Sequence, residues 1–232
     1  MPGSGLTTST GDYLKAIWIV GQGGRATTNA LASQLGVSAP SVSGMLGRLE
    51  AQGWVVYERY RGAMLTERGR REALRLIRRH RLIETFLIDY LGYSWDEVHE
   101  EAEAIEHVIS DRFTERLAGR LGHPTHDPHG DPIPSGSGGM PATPNVALVD
   151  LQVGDALTVA RLRTQDAAAL NALDRLRIRP GQVVTIEGRV SAAGRWQVRI
   201  GDEVTALSDD LAAVVRGEPA RDPSTPRDDE AA

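Results

Sequence analysis

Apolar positions recur every three to four residues through the first half of the chain and alternate in short runs through the second. Tyr13, Leu14, Ile17 and Trp18 mark one face of a helix over residues 8–20, capped by Thr8 or Ser9 and stopped by the glycines of GQGG. Leu31, Ala32 and Leu35 line a short second helix from Thr28 that stops at Gly36. Val42, Met45, Leu46 and Leu49 line a third, which Ser38 caps, with Pro40 in its first turn and Gly53 beyond its end. Residues 54–59 and 63–66 alternate about Arg61-Gly62 and predict a β-hairpin. Thr66 then caps a long helix to Gly92, whose apolar positions include Ala73, Leu74, Ile77, Leu82, Phe86 and Tyr90. A further helix is expected from Ser94 to about Gly122, with Val98, Ala102, Ile105 and Ile109, then Phe113 and Leu117, on its apolar side. Residues 123–144 are rich in Pro, Gly and Ser and read as a linker. From Val146 to Gly217 short strands alternate with turns around one short helix, DAAALNALDRL.

Two short helices joined by a tight turn and followed by a hairpin are the winged helix-turn-helix pattern. Its second helix presents Ser38, Ala39, Pro40, Ser41, Ser43 and Arg48, mostly small residues that allow close entry into a major groove. Arg59 and Arg61 sit at the hairpin tip, where cations suit phosphate contact. Charge changes this picture in one respect. The net charge of −5 conceals a basic start: residues 1–81 hold 12 Lys/Arg against 5 Asp/Glu, and the remainder is acidic. That asymmetry points to a nucleic-acid module joined to a part that handles cations. The chain has no cysteine, which excludes a disulfide framework, a zinc ribbon and thiol chemistry. No apolar run reaches the ~18 residues of a membrane span, and no signal-peptide pattern opens the chain. A cytoplasmic location is expected.

The candidate chemistry lies in HEEAEAIEH. On a helix, His99, Glu103, Glu106 and His107 share one stripe beside an apolar one. His80 and Glu84 are four apart on the preceding long helix. Imidazoles and carboxylates beside a buried face suit a divalent cation, which offsets the cost of burying the carboxylates. His123, His126, Asp127 and His129 fall in the Pro-rich linker, a poor place for a preorganised site, and are not expected to bind metal.

The run RHRLIETFLIDYLGYSWDEVHEEAEAIEHVISDRFTERL, with HGDPIP after it and SAPSVSGMLGRLEAQG before it, resembles the diphtheria-toxin-repressor and manganese-transport-regulator family of metal-dependent transcriptional regulators. The likeness extends over residues 7–134 and more loosely over 146–216. It implies a mainly α protein with small β parts. Residues 1–72 would form the winged helix-turn-helix, 73–140 a helical dimerisation and metal-binding domain, and 146–217 an SH3-like, FeoA-like barrel. Residues 218–232 would be a disordered tail. It further implies two metal sites per subunit. His80, Glu84 and His99 match one, and ungapped matching adds Asp166, whose alternative role is a helix N-cap. Asp12, Glu103, Glu106 and His107 match the other. Iron-responsive members of the family carry Cys and Met where this chain has Glu103 and Asp12. The carboxylates therefore tilt the expectation toward Mn²⁺, with Fe²⁺ the alternative. Lys15 stands where some manganese members place a second carboxylate, so a carboxylate-bridged metal pair is not expected. The expected protein is a homodimeric, metal-activated repressor of metal-uptake genes that binds double-stranded operator DNA and is not an enzyme. A constitutive DNA-binding regulator with a vestigial metal site and a helical metallohydrolase are the alternatives.

Overall fold

The computed structural model describes residues 7–190 and 194–220. The chain forms two compact units. One comprises Met1–His80, Glu103–Leu117 and Pro134–Met140, the other Arg81–Ala102, Ala118–Ile133 and Pro141–Ala232.

In the first unit α1 (Thr8–Gly21), α2 (Thr28–Leu35) and α3 (Ala39–Ala51) precede a hairpin of β1 (Val55–Glu58) and β2 (Gly62–Leu65). The helix starts follow from side-chain caps. Thr7, Thr27 and Ser38 each accept a backbone N–H from the residue three further on. The first cap is thus Thr7, rather than the expected Thr8 or Ser9. Leu14, Ile17, Leu31, Val42, Leu46 and Leu49 are almost wholly buried in one core. Each contributes roughly 1.5–3 kcal/mol through removal of apolar surface from water. The hairpin runs in antiparallel register from Val55 opposite Leu65 to Glu58 opposite Gly62, and Ala26 bridges Ala63 to add a third short segment. This is the expected winged helix-turn-helix.

The long helix α4 (Glu67–Leu91) is continuous, and the Thr66 hydroxyl accepts the N–H of Gly69 at its start. The expected single helix from Ser94 to Gly122 is two: α5 (Val98–Glu106) and α6 (Asp111–Arg120). The break follows from Ser110, whose hydroxyl accepts the N–H of Phe113 and opens a new helix with Asp111 in its first turn.

In the second unit β3 (Val146–Ala147), β4 (Ala156–Leu162), β5 (Val183–Val190), β6 (Arg195–Ile200), β7 (Glu203–Ser208) and β8 (Val215–Ala220) form one antiparallel sheet in the order β3-β8-β4-β5-β6-β7. Register shifts at Val159/Arg161 and Ile186/Gly188 bend the strands. The fold encloses Leu157, Val159, Leu162, Val184, Ile186, Trp196 and Val198 together with Leu170 and Leu173 of α7 (Ala167–Arg175). The short α8 (Asp209–Val214) leads into β8. Glu218–Ala220 therefore close the sheet rather than begin a tail, because β8 pairs with β4 as far as Ala220 opposite Ala156. Residues 221–232 of the expected tail lie outside the described residues.

Candidate metal centres and nucleic-acid interface

Glu106, the last residue of α5, is the centre of a buried polar cluster in the first unit. It is fully buried. Its Oε2 lies 2.6 Å from His80 Nδ1 of α4. Its Oε1 accepts a hydrogen bond from Lys15 Nζ at 2.8 Å and lies 3.3 Å from His107 Nε2. Lys15 also pairs with Glu103. Asp12 of α1 completes the group, with Oδ1 2.8 Å from His107 Nε2. Gly11, the residue before Asp12, lies against the His107 ring and the Leu76 side chain. A Cβ at Gly11 would stand 3.1 Å from His107 Cε1 and 2.9 Å from Leu76 Cδ1, so both side chains would have to give way. The predicted Asp12, Glu103, Glu106 and His107 are therefore brought together. Potential donor atoms of Asp12, Glu106 and His107 lie within 4.8 Å of one another.

Electrostatics separates Glu106 from Asp12. Burial alone would push the Glu106 carboxyl up, but His80 and Lys15 outweigh it and hold the group below its ordinary value. Burial raises Asp12 despite the opposing pull of His107, and Glu103 adds repulsion. Lys15 loses solvation too, yet Glu106 and Glu103 hold its ammonium above the usual lysine value.

The other predicted set, His80, Glu84 and His99, is divided: His80 belongs to the first unit, and Glu84 and His99 to the second. Glu84 Oε1 is 3.3 Å from His99 Nδ1. The residues gathered with Glu84 in a buried cluster are Asp127 and His129, again within 4.8 Å. Both lie in the stretch expected to be a flexible linker, which the structure instead holds in turns. Asp127 Oδ1 accepts the N–H groups of His129 and Asp131, and His126 bridges Pro132. Gly130, at φ +84°, has its Cα pressed against the Ala160 carbonyl where no Cβ fits. The His129 ring meets Trp95 edge-on at 4.9 Å, its carbonyl accepts the N–H of Leu162, and Arg81 pairs with both Asp127 and Asp131. Burial, with Asp131 and Glu84 close by, pushes the Asp127 carboxyl well above the usual range. The turn chemistry D-P-H-G-D was the signal available in the sequence.

Asp166 is a helix cap in the structure. It is exposed and caps α7, with Oδ1 accepting the N–H groups of Ala168 and Ala169 at 2.8 and 3.5 Å. It joins neither cluster, so its role here is the alternative one of helix cap.

On the helix-turn-helix, Ser38, Pro40, Ser41 and Arg48 are exposed, and Ala39 and Ser43 half-buried. Ser38 is partly committed to the cap, since its hydroxyl accepts the Ser41 N–H and bonds the Ser41 hydroxyl at 2.8 Å. At the wing tip Arg59 and Arg61 are exposed on either side of Tyr60, which is 91% exposed with φ +69°. Arg59 lies over the Tyr60 ring at 5.2 Å, whereas Arg61 is held by Glu58 at 2.9 Å. Tyr60 was not singled out from sequence, although a tyrosine between two arginines at a turn marks an aromatic tip.

A winged helix-turn-helix in one unit with a carboxylate–imidazole cluster defines a metal-responsive DNA-binding regulator. The comparisons agree. Residues 5–63 match the iron dependent repressor, N-terminal DNA binding domain; residues 66–135 match the iron dependent repressor, metal binding and dimerisation domain; residues 146–219 match the FeoA domain. The chain is 33% identical over 226 residues to the iron-dependent repressor IdeR of Mycobacterium tuberculosis, spanning 92% of this chain and 98% of that one. It is 37% identical over 130 residues to the diphtheria toxin repressor of Corynebacterium diphtheriae, 56% of this chain and 58% of that one. Among solved structures, a manganese-dependent transcriptional repressor in complex with manganese superposes with a TM-score of 0.82 at 39% identity, covering 90% of this chain and 99% of that chain. ScaR with bound Zn²⁺ superposes at 0.76 and 29% identity, covering 91% and 98%. The chain belongs to the iron-dependent, diphtheria-toxin-repressor family of metal-dependent transcriptional repressors, and that family is one of regulators, not enzymes. No helix among the described residues is long and apolar enough to cross a membrane.

Proposed function

We propose that this protein is a Mn²⁺-responsive repressor, with Fe²⁺ as the alternative effector, that acts in the cytoplasm as a homodimer on operator DNA controlling metal uptake. The observation that carries the reading is the meeting of Asp12, from the first helix of the DNA-binding module, with Glu106 and His107 at the end of α5. The donor set fits a divalent cation. Three carboxylates and one ammonium leave a formal charge of −2 around a fully buried carboxylate. The donors are oxygen and imidazole with no thiolate, a harder set than one built on sulfur. Asp12, Glu103, Glu106 and His107 would hold the ion. A bound ion would supply the positive charge that fastens α1 to the end of α5. For a second site we propose Glu84 with Asp127 and His129, which are buried together, in preference to any role for Asp166. Ser38, Ala39, Pro40, Ser41, Ser43 and Arg48 would read the major groove, and Arg59 and Arg61 would contact phosphate.

The test is operator binding by fluorescence anisotropy, run anaerobically with Mn²⁺, Fe²⁺, Co²⁺ or Zn²⁺. Affinity should rise at least tenfold with Mn²⁺, and Glu106→Ala should abolish the rise. Tight binding without metal, unchanged in Glu106→Ala, would mean a constitutive regulator.

A further inference from the structure

We propose that Tyr60, at the tip of the wing, reads DNA shape: its ring enters the minor groove beside the half-site and makes binding depend on the width of that groove. The proposal rests on the operator-binding reading above and concerns a contact that the arginines at the tip do not supply.

Nothing in the free protein calls for a tyrosine at this position. Tyr60 is 91% exposed, so it adds nothing to the core. It is the third residue of the turn Glu58–Arg61, in which the Arg61 N–H donates to the Glu58 carbonyl at 3.0 Å. Its φ of +69° is left-handed. Glycine or asparagine suits that position, and a bulky side chain there is strained. Strain at an exposed aromatic is a cost to the free protein and points to a contact made outside it.

The tip is braced from below. Arg25, between α1 and α2, donates to Glu58 Oε1 at 2.7 Å and to the Gly62 carbonyl at 3.2 Å. Ala26 and Ala63 exchange both backbone hydrogen bonds at 2.9 Å. Gly62 packs so closely that a Cβ there would stand 2.1 Å from the Ala26 carbonyl oxygen. The hairpin is thus fixed to the body of the helix-turn-helix. A ring on a firm support can discriminate between grooves, because its geometry is set before it binds.

The side chains of the tip divide by chemistry. Arg59 lies over the Tyr60 ring at 5.2 Å, and Arg61 is drawn to Glu58 at 2.9 Å. Arginines on either side of an aromatic residue match a groove with phosphates on both walls. Arginine alone would favour the narrow, strongly negative groove of an A-tract. A phenol ring needs room, since the minor groove of B-DNA is only about 6 Å wide. Steps that open easily, such as TA, provide it, and apolar side chains wedge into such steps. The wing extends this apolar character: Val56 and Met64, opposite one another in the hairpin, are both exposed. TATA and AAAA present the same acceptors in the minor groove, so a preference between them reports shape and not base identity.

Half-sites should first be selected from a random duplex pool by the Mn²⁺-loaded full-length protein. Duplexes that share those half-sites and differ only in TATA or AAAA beside each of them are then compared by fluorescence anisotropy. The wild type should bind the TATA duplex about fivefold or more tightly than the AAAA duplex. Tyr60→Phe should keep that preference. Tyr60→Gly should lose it while melting no lower than the wild type. Arg59→Ala with Arg61→Ala should weaken both duplexes and flatten the salt dependence, with the preference for TATA still in place. A wild type indifferent to the flank, or a preference that survives in Tyr60→Gly, would overturn the proposal. Failure of the Mn²⁺-loaded protein to select any duplex would instead overturn the Mn²⁺-dependent operator-binding reading.

Discussion

Glu106 touches more of the first centre than any other side chain there: His80 on one oxygen, Lys15 and His107 on the other. Its spacing from Glu103 and His107 is legible in the sequence, because residues at i, i+3 and i+4 of a helix share a face. That Lys15 pairs with Glu103 and Glu106 was not legible. A lysine on an amphipathic helix ordinarily reaches for water, and only the depth of Glu106 turns this one inward. The chemistry of Asp12 and Glu103 should set the preference among ions. Replacing both with soft donors, Asp12→Met with Glu103→Cys, should weaken the Mn²⁺ response about tenfold or more relative to Fe²⁺ and Zn²⁺. The check is the half-activation concentration of each metal in operator binding. An unchanged order would assign selectivity to groups behind the ligands, such as His80.

The helices of the DNA-binding module and the wing were readable from periodicity and caps, since Ser38, Gly36 and the alternation after Trp54 are local signals. The break between α5 and α6 was not, because His107–Ser110 contains neither Gly nor Pro and the apolar period continues through Ile109. α8 and β8 escaped because Gly217 and Pro219 resemble the start of a tail, and strand pairing to β4 overrides that local signal. The loop over residues 123–133 misled in the opposite sense. Its Pro and Gly content suggests a flexible linker, but Asp127 folds it into a turn and Gly130 lets it lie against β4. Gly130→Ala would demand a left-handed alanine with its methyl in the Ala160 carbonyl. It should cost about 1–3 kcal/mol in thermal or urea unfolding. It should also weaken Mn²⁺ binding at Glu84, Asp127 and His129 while sparing the Asp12 centre. Full stability, or equal loss at both centres, would count against the loop as the support of Asp127 and His129.

The basic first third and acidic remainder divide the work of the chain between phosphate and cation. If one ion joins the two activities, thermodynamic linkage makes the effect mutual: operator DNA must tighten Mn²⁺ by the same factor by which Mn²⁺ tightens DNA. Coupling of the usual size would appear as a shift of about 5–150-fold in the Mn²⁺ titration midpoint when a palindromic operator is added. Half-sites whose centres lie about 34 Å apart, or a multiple of that, should bind best. A midpoint indifferent to DNA would show that metal and DNA are held independently.

The absent methyl at Gly11 has a consequence for measurement as much as for packing. It leaves room for the His107 ring against Gly11, one residue before Asp12, whose Oδ1 lies 2.8 Å from His107 Nε2. Oxygen–metal distances for ions as different as Zn²⁺ and Ca²⁺ differ by only about 0.1–0.6 Å. One extra carbon at Gly11 would press on the His107 ring, which would have to give by a few tenths of an ångström. If Asp12 and His107 hold the ion as proposed, part of the gauge against which it is sized lies outside the ligands, in a position that carries no side chain at all.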